Sequence, residues 1–128
     1  MKNNLKLAVL DSEYTVHRFS PKSAIPLDAL KGGFMSITRT DDELSILCDS
    51  KIPVDSVKSE DGWACIKVLG PLDFGLTGIL ARVSGVLAEA EISIFALSTY
   101  DTDYILVKNN TLSVAKKALS EAGYIFEN

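Results

Sequence analysis

Little in this 128-residue chain suits metal, redox or nucleic-acid chemistry. It has two cysteines, Cys48 and Cys65, and one histidine, His17. No C-x-x-C spacing occurs, and one imidazole cannot complete a set of nitrogen and sulfur ligands, so no metal site is expected. Both cysteines lie in apolar, strand-like contexts and read as reduced core thiols. Basic residues number 13 against 17 acidic ones, a net charge of -4. That balance leaves no basic face for a phosphate backbone, so no nucleic-acid partner is expected. The longest stretch without a charge runs from Ile92 to Tyr100, nine residues, whereas a membrane span takes about 20. The apolar run Leu5 to Leu10 is too short for a signal peptide, and a cytoplasmic location is expected. Neither G-x-G-x-x-G nor a P-loop pattern is present, and no cofactor is expected.

What is present is a foldable core: 47% of residues are hydrophobic and 23% charged. The second half is the more regular. Trp63 to Leu69 is rich in strand formers, and Gly70-Pro71 breaks it. Leu76, Ile79, Leu80, Val83, Val86, Leu87 and Ala90 recur in steps of three and four, the stripe of an amphipathic helix. Ile92 to Thr99 reads as a strand that is apolar on both faces, and Tyr104 to Val107 as its hairpin partner. Leu112, Ala115, Ala118, Leu119 and Ala122 mark a second helix, with Gly123 at the C′ position. Tyr124-Ile125-Phe126 closes the half as a strand. The order is βαββαβ, a ferredoxin-like α+β fold.

The first half looks like a worn copy. Leu5 to Leu10 and Tyr14 to Phe19 are strand-like, residues 26–30 allow a turn or two of helix, and residues 34–38 and 43–47 read as a hairpin. A shift of 60 lays Phe34 on Ile94, Ile37 on Leu97, Asp41 on Asp101, Glu43 on Asp103 and Ile46 on Leu106. This predicts an internal repeat with a period near 60. Residues 50–62 read as an extended linker, so the division falls at 1–60 and 61–128, the first module degenerate. A module of about 60 residues buries only about 60% of its surface and is marginal alone, so pairing supplies the missing core. His17 reads as a solvent-facing or locally bonded strand histidine, and Trp63 as a packing residue. Phe95 and Leu97 oppose Ile94 and Ala96, so both faces of their strand need cover.

Two segments could carry function. Gly70 to Gly78 runs from a strand into the long helix, whose unpaired N–H groups and dipole favour anions. Ser98-Thr99-Tyr100-Asp101-Thr102-Asp103-Tyr104 alternates hydroxyls with carboxylates, acceptors for an ammonium and donors for a carboxylate. Asp101 and Asp103 lack a convergent nucleophile or imidazole, which argues against general acid–base catalysis. An acyl-phosphate hydrolase of this fold class would need an arginine in the loop, and Gly70 to Gly78 contains none.

Residues 73–83, Asp-Phe-Gly-Leu-Thr-Gly-Ile-Leu-Ala-Arg-Val, followed by Leu87 to Ile94, resemble the ACT domain, the regulatory module of aspartate kinase and other amino-acid enzymes. The run Ser98 to Val107 is similar to the small tandem-ACT proteins that include the CASTOR arginine sensors. The resemblance covers Trp63 to Phe126 and implies an ACT-type sandwich, two modules in tandem, acting as a non-enzymatic, amino-acid-binding regulatory module. It further implies a ligand loop of Asp73, Phe74, Gly75, Leu76, Thr77 and Gly78, with Ser98, Thr99, Tyr100 and Asp103 meeting the ligand's polar ends. The partners implied are an amino acid together with a homodimer mate or a regulated enzyme. A ligand-free dimerisation or docking module is the alternative.

Overall fold

The computed structural model describes residues 5–69 and 78–128. It contains eight strands: β1 (Lys6–Val9), β2 (Tyr14–Phe19), β3 (Ser36–Arg39), β4 (Leu44–Asp49), β5 (Lys58–Val68), β6 (Ile94–Ser98), β7 (Asp103–Lys108) and β8 (Ile125–Phe126). Two helices, α1 (Ile79–Glu89) and α2 (Leu112–Glu121), lie in the second half. A single 3-10 turn, Leu27–Leu30, is the one helical element of the 12–63 segment, opening after Pro26 as its fixed φ favours. The chain forms two compact units, residues 12–63 and residues 1–11 with 64–128.

In the C-terminal unit the strand order is β6-β7-β5-β1-β8. The βαββαβ path from β5 to β8 is therefore present, but β1 is inserted between its first and last strands. Leu7 stands opposite Val68 and Val9 opposite Ile66, antiparallel, while Lys6 and Leu7 pair in parallel with Ile125 and Phe126. The Asn128 side chain closes this corner, accepting from Val9 N at 3.0 Å and donating to Val9 O at 2.7 Å. This corrects the placement of Leu5 to Leu10 in the first module. One face of β5 and β7 supplies Ala64, Ile66, Val68, Ile105 and Val107, and α1 lays Ile79, Val83 and Leu87 on them, α2 Ala115 and Leu119. Each fully buried aliphatic side chain contributes about 1.5–3 kcal/mol.

Both helices end in the same hydrogen-bond pattern. After α2, Gly123 takes φ 101, its N–H reaches Ser120 O and Tyr124 N reaches Leu119 O, the Schellman closure that its position predicts. After α1 the left-handed position is filled by Glu91 at φ 60, with Glu91 N to Ala88 O and Ile92 N to Leu87 O. The chain accepts a side chain there because Ile92 must turn back into the core, where it is buried. Helix α1 begins at Ile79; Leu76 of the expected stripe lies outside the described residues.

In the N-terminal unit the order is β3-β4-β2-β5. Residues 58–62, expected to be linker, belong to β5 and pair antiparallel with β2, Val16 opposite Glu60 and Arg18 opposite Lys58. Their exposed charged side chains conceal a strand held by its backbone ladder. Phe19, Leu44, Ile46 and Cys48 share one face with Ala29 of the 3-10 turn, and Met35, Ile37, Ile52 and Val54 pack around them. Burial raises the Cys48 thiol, helped by the neighbouring Asp49 carboxylate, and pushes the Cys65 thiol up to about 12. Both are free thiols in the core.

His17 is buried, with Nδ1 2.9 Å from Ser56 Oγ. Desolvation lowers its pKa. The unfolded chain then takes up the proton first as pH falls, because a free histidine titrates near about 6.5. Stability from neutral His17 is complete above that value and is lost as pH falls through the lower folded one. Urea midpoints should therefore drop between about pH 7.5 and pH 5, and His17→Gln should flatten the drop; an unchanged slope in that variant refutes the assignment.

The hairpins β3–β4 and β6–β7 are built alike, at an offset of 59 rather than the expected 60. Arg39 faces Leu44 as Ser98 faces Asp103. Both turns are four residues long and begin with threonine. Thr40 N donates to Glu43 O at 2.9 Å and Thr99 N to Thr102 O at 2.8 Å. The Thr40 hydroxyl accepts from Glu43 N at 3.2 Å and the Thr99 hydroxyl from Thr102 N at 3.3 Å. Sequence spacing alone placed Glu43 on Asp103; the turn geometry places Leu44 there.

Candidate ligand-binding site

Strand β5 ends at Val68, and the chain then enters the segment leading to α1. Asp73, Phe74, Gly75, Leu76 and Thr77 fall in that segment and lie outside the described residues. Gly78, the last of the predicted loop positions, is described. It is the residue before α1, exposed, with φ 75 and ψ 6. A β-carbon here would lie 3.2 Å from Arg82 Nη1 on a left-handed backbone, which glycine adopts without steric cost. Its carbonyl accepts from Arg82 N at 2.8 Å, the first turn of the helix. Gly78 has no side chain with which to cap α1, and the first turn of the helix holds no acidic residue, so among the described residues the helix start presents donors and a positive dipole end.

The hairpin brings Ser98, Thr99, Tyr100 and Asp103 together. Ser98 and Asp103 are directly opposite across the ladder, and the Ser98 hydroxyl donates to Asp103 Oδ1 at 2.5 Å. Asp103 is half-buried, whereas Ser98, Thr99 and Tyr100 are exposed, Tyr100 at 82%. Thr99 is engaged within the turn through both its N–H and its hydroxyl. Such a seryl–carboxylate pair, with no imidazole bridging it, does not make an activated nucleophile. It does make an acceptor for a cation, since charge-assisted hydrogen bonds are about twice as strong as neutral ones.

One residue that the sequence did not single out fixes this arrangement. Thr102 is buried, 5% exposed, and its hydroxyl donates to Val68 O at 2.5 Å. It ties the hairpin tip to the end of β5, at the point where the chain leaves for the α1 segment. Its only sequence signal was its place in the polar alternation, where it looked like any turn threonine. No helix among the described residues is long and apolar enough to cross a membrane.

A family model described as the ACT domain matches residues 58–121, and one described as an N-terminal domain matches residues 12–55. The human protein CASTOR3P is 31% identical over 122 residues, covering 82% of this chain and 75% of that protein. The rat cytosolic arginine sensor for mTORC1 subunit 1 is 29% identical over 105 residues, 70% of this chain; the chain spans 32% of that relative's length. A crystal structure of an Agrobacterium tumefaciens protein matches at 42% identity with a TM-score of 0.90, covering 97% of this chain and 92% of that one. Aspartate kinase of Clostridium acetobutylicum shares the fold at 14% identity and a TM-score of 0.68, over 91% of this chain and 34% of the kinase. Together with the α+β architecture and its two helices, these matches establish that the chain belongs to the ACT domain family.

Proposed function

We propose that the protein is a cytoplasmic, non-enzymatic regulatory module that binds a free amino acid and changes its own assembly or the activity of a partner enzyme. The observation that carries this reading is the half-buried Asp103 carboxylate, opposed by Ser98 on a hairpin whose tip is bonded to Val68. Asp103 and Ser98 receive the ligand's amine or a cationic side chain. Tyr100 and Thr99 border it, and the loop Asp73, Phe74, Gly75, Leu76, Thr77 and Gly78 at the start of α1 takes the carboxylate on backbone N–H groups. The relatives support it: an arginine sensor by name among the sequences, and an allosteric aspartate kinase by title among the structures. Residues 12–63 form the degenerate first ACT-like module, its α1 equivalent reduced to a 3-10 turn.

A thermal-shift series with the twenty amino acids on the full chain tests it. At about 100-fold excess over the dissociation constant, binding adds about 2.7 kcal/mol, a rise of several degrees for a chain of this size. Asp103→Asn and Ser98→Ala are expected to abolish that rise while leaving the ligand-free midpoint near its original value. Absence of a shift with any amino acid favours a ligand-free docking module instead, a reading supported by β6, which pairs only with β7 among the described strands.

A further inference from the structure

The two hairpins are built alike, and they part at the rung next to the turn. In β6–β7 that rung is Ser98 opposite Asp103; in β3–β4 it is Arg39 opposite Leu44. The surroundings match as well. Strand β2 pairs with β4 as β5 pairs with β7. After β2 the chain runs through residues 20–26 into the 3-10 turn, as after β5 it runs into α1. Residues directly opposed on a ladder share a face. Arg39 therefore lies on the face of Leu44, which Ala29 of the 3-10 turn covers. Ser98 and Asp103 lie on the face of Ile105, which packs with Ile79 and Val83 of α1.

The Arg39 side chain leaves β3 and reaches the loop that precedes the 3-10 turn. Its Nη1 donates to Pro21 O, and its Nη2 donates to Ser23 O at 2.9 Å. A planar guanidinium fork spans two such acceptors, which a single ammonium point charge does not reproduce. The loop is itself a turn, with Ser23 N donating to Ser20 O at 3.1 Å, so the two carbonyls are presented together. Among the described residues no carboxylate pairs with Arg39; the carbonyls alone hold the cation. A guanidinium thus bridges the start of the hairpin turn and the loop before the helical element. At the matching rung of the C-terminal unit stand a serine, too short to bridge, and a carboxylate in place of leucine.

We propose that the N-terminal unit contains a binding site for alkylguanidinium ions that Arg39 fills from within the chain. Arg39 acts as a tethered ligand: it closes this unit, which therefore takes up no ligand from solution. Cutting the tether at the β-carbon opens the site to the missing fragment, ethylguanidinium. The inference takes from the proposed function only the position of the site, and its test involves no amino acid, so the two readings fail separately.

Nitrogen–proton correlation spectra of the full chain and of Arg39→Ala provide the test. The amides of Lys22 and Ala24 follow the carbonyls of Pro21 and Ser23 and report their hydrogen bonds. Both should shift in Arg39→Ala, while the rest of the spectrum persists because Arg39 is exposed. Ethylguanidinium should then return both amides toward their original positions along a saturable curve, with a dissociation constant on the order of 10 mM for two hydrogen bonds to a charged group. Ethylammonium, which lacks the fork, should bind about tenfold more weakly. The unaltered chain should show no saturable response to either ion at these amides. The proposal is overturned if Lys22 and Ala24 do not move in Arg39→Ala, or if ethylguanidinium fails to restore them. It is equally overturned if ethylammonium restores them as well, or if the unaltered chain responds like the variant.

Discussion

Leu44→Asp should unfold the N-terminal unit, whereas Asp103→Leu should leave the C-terminal unit folded and stop it responding to an amino acid. The two positions are equivalent in the 59-residue repeat, each facing the last residue of the preceding strand. Along the paired strands the burial runs in parallel: Ile46, Leu47 and Cys48 are buried, and so are Ile105, Leu106 and Val107. The exception is the first position, where Leu44 is fully buried and Asp103 half-buried. A carboxylate placed at Leu44 has no partner in a core of Phe19, Ala29 and Ile46, at a cost of about 3–5 kcal/mol. A leucine at Asp103 occupies a place that the same hairpin already fills with leucine, so stability should hold or rise. The cysteines report each unit separately, since Cys48 lies in one and Cys65 in the other. Mass spectrometry after a thiol label should find Cys48 modified in Leu44→Asp and neither cysteine modified in Asp103→Leu. If Asp103→Leu exposes Cys65, the carboxylate is structural and the ligand reading loses its central residue.

What could be read from the sequence follows the range of the interactions involved. The stripe Ile79, Val83, Leu87 and the closing Gly123 are local signals, and α1, α2 and the hairpin β6–β7 formed where periodicity placed them. Strand β1 was legible as a strand, but not its partner. Leu5 to Leu10 shows the same alternation whether it pairs with a neighbour in sequence or with Ile66 and Val68, which lie 57 and 61 positions from their partners Val9 and Leu7. Residues 58–62 were read as part of a linker because Ser59, Glu60 and Asp61 continue the polar composition of residues 50–62; the backbone ladder to β2 leaves no mark on residue type. His17 was similarly opaque, since the bond to Ser56 crosses 39 positions. At the candidate site the hydroxyl–carboxylate alternation pointed to Ser98 and Asp103, and the structure places them opposite one another. The anchoring role of Thr102 depends on Val68 and could not be read from the turn alone.

Deleting residues 1–11 should destabilise the C-terminal unit by about 4 kcal/mol or more and leave the N-terminal unit protected. Strand β1 sits between β5 and β8, and β8 pairs only with β1 among the described strands. Its removal strips the edge of β5, frees Ile125 and Phe126, and takes from the core the fully buried Leu7. Leu7→Ala, which keeps the ladder, should cost about 2–5 kcal/mol by cavity formation alone. Asn128→Ala, which removes only the clamp on Val9, should cost about 1 kcal/mol. The order of the three variants is the discriminating result. Urea unfolding combined with thiol labelling should show Cys65 reacting at progressively lower denaturant from Asn128→Ala through Leu7→Ala to the deletion, with Cys48 unchanged. Cys65 runs alongside β1 and its carbonyl accepts from Leu10 N at 2.9 Å, so it senses loss of that strand directly. Were Cys48 to lose protection together with Cys65, the first eleven residues would have to be assigned to the N-terminal unit, as the spacing of the sequence first suggested.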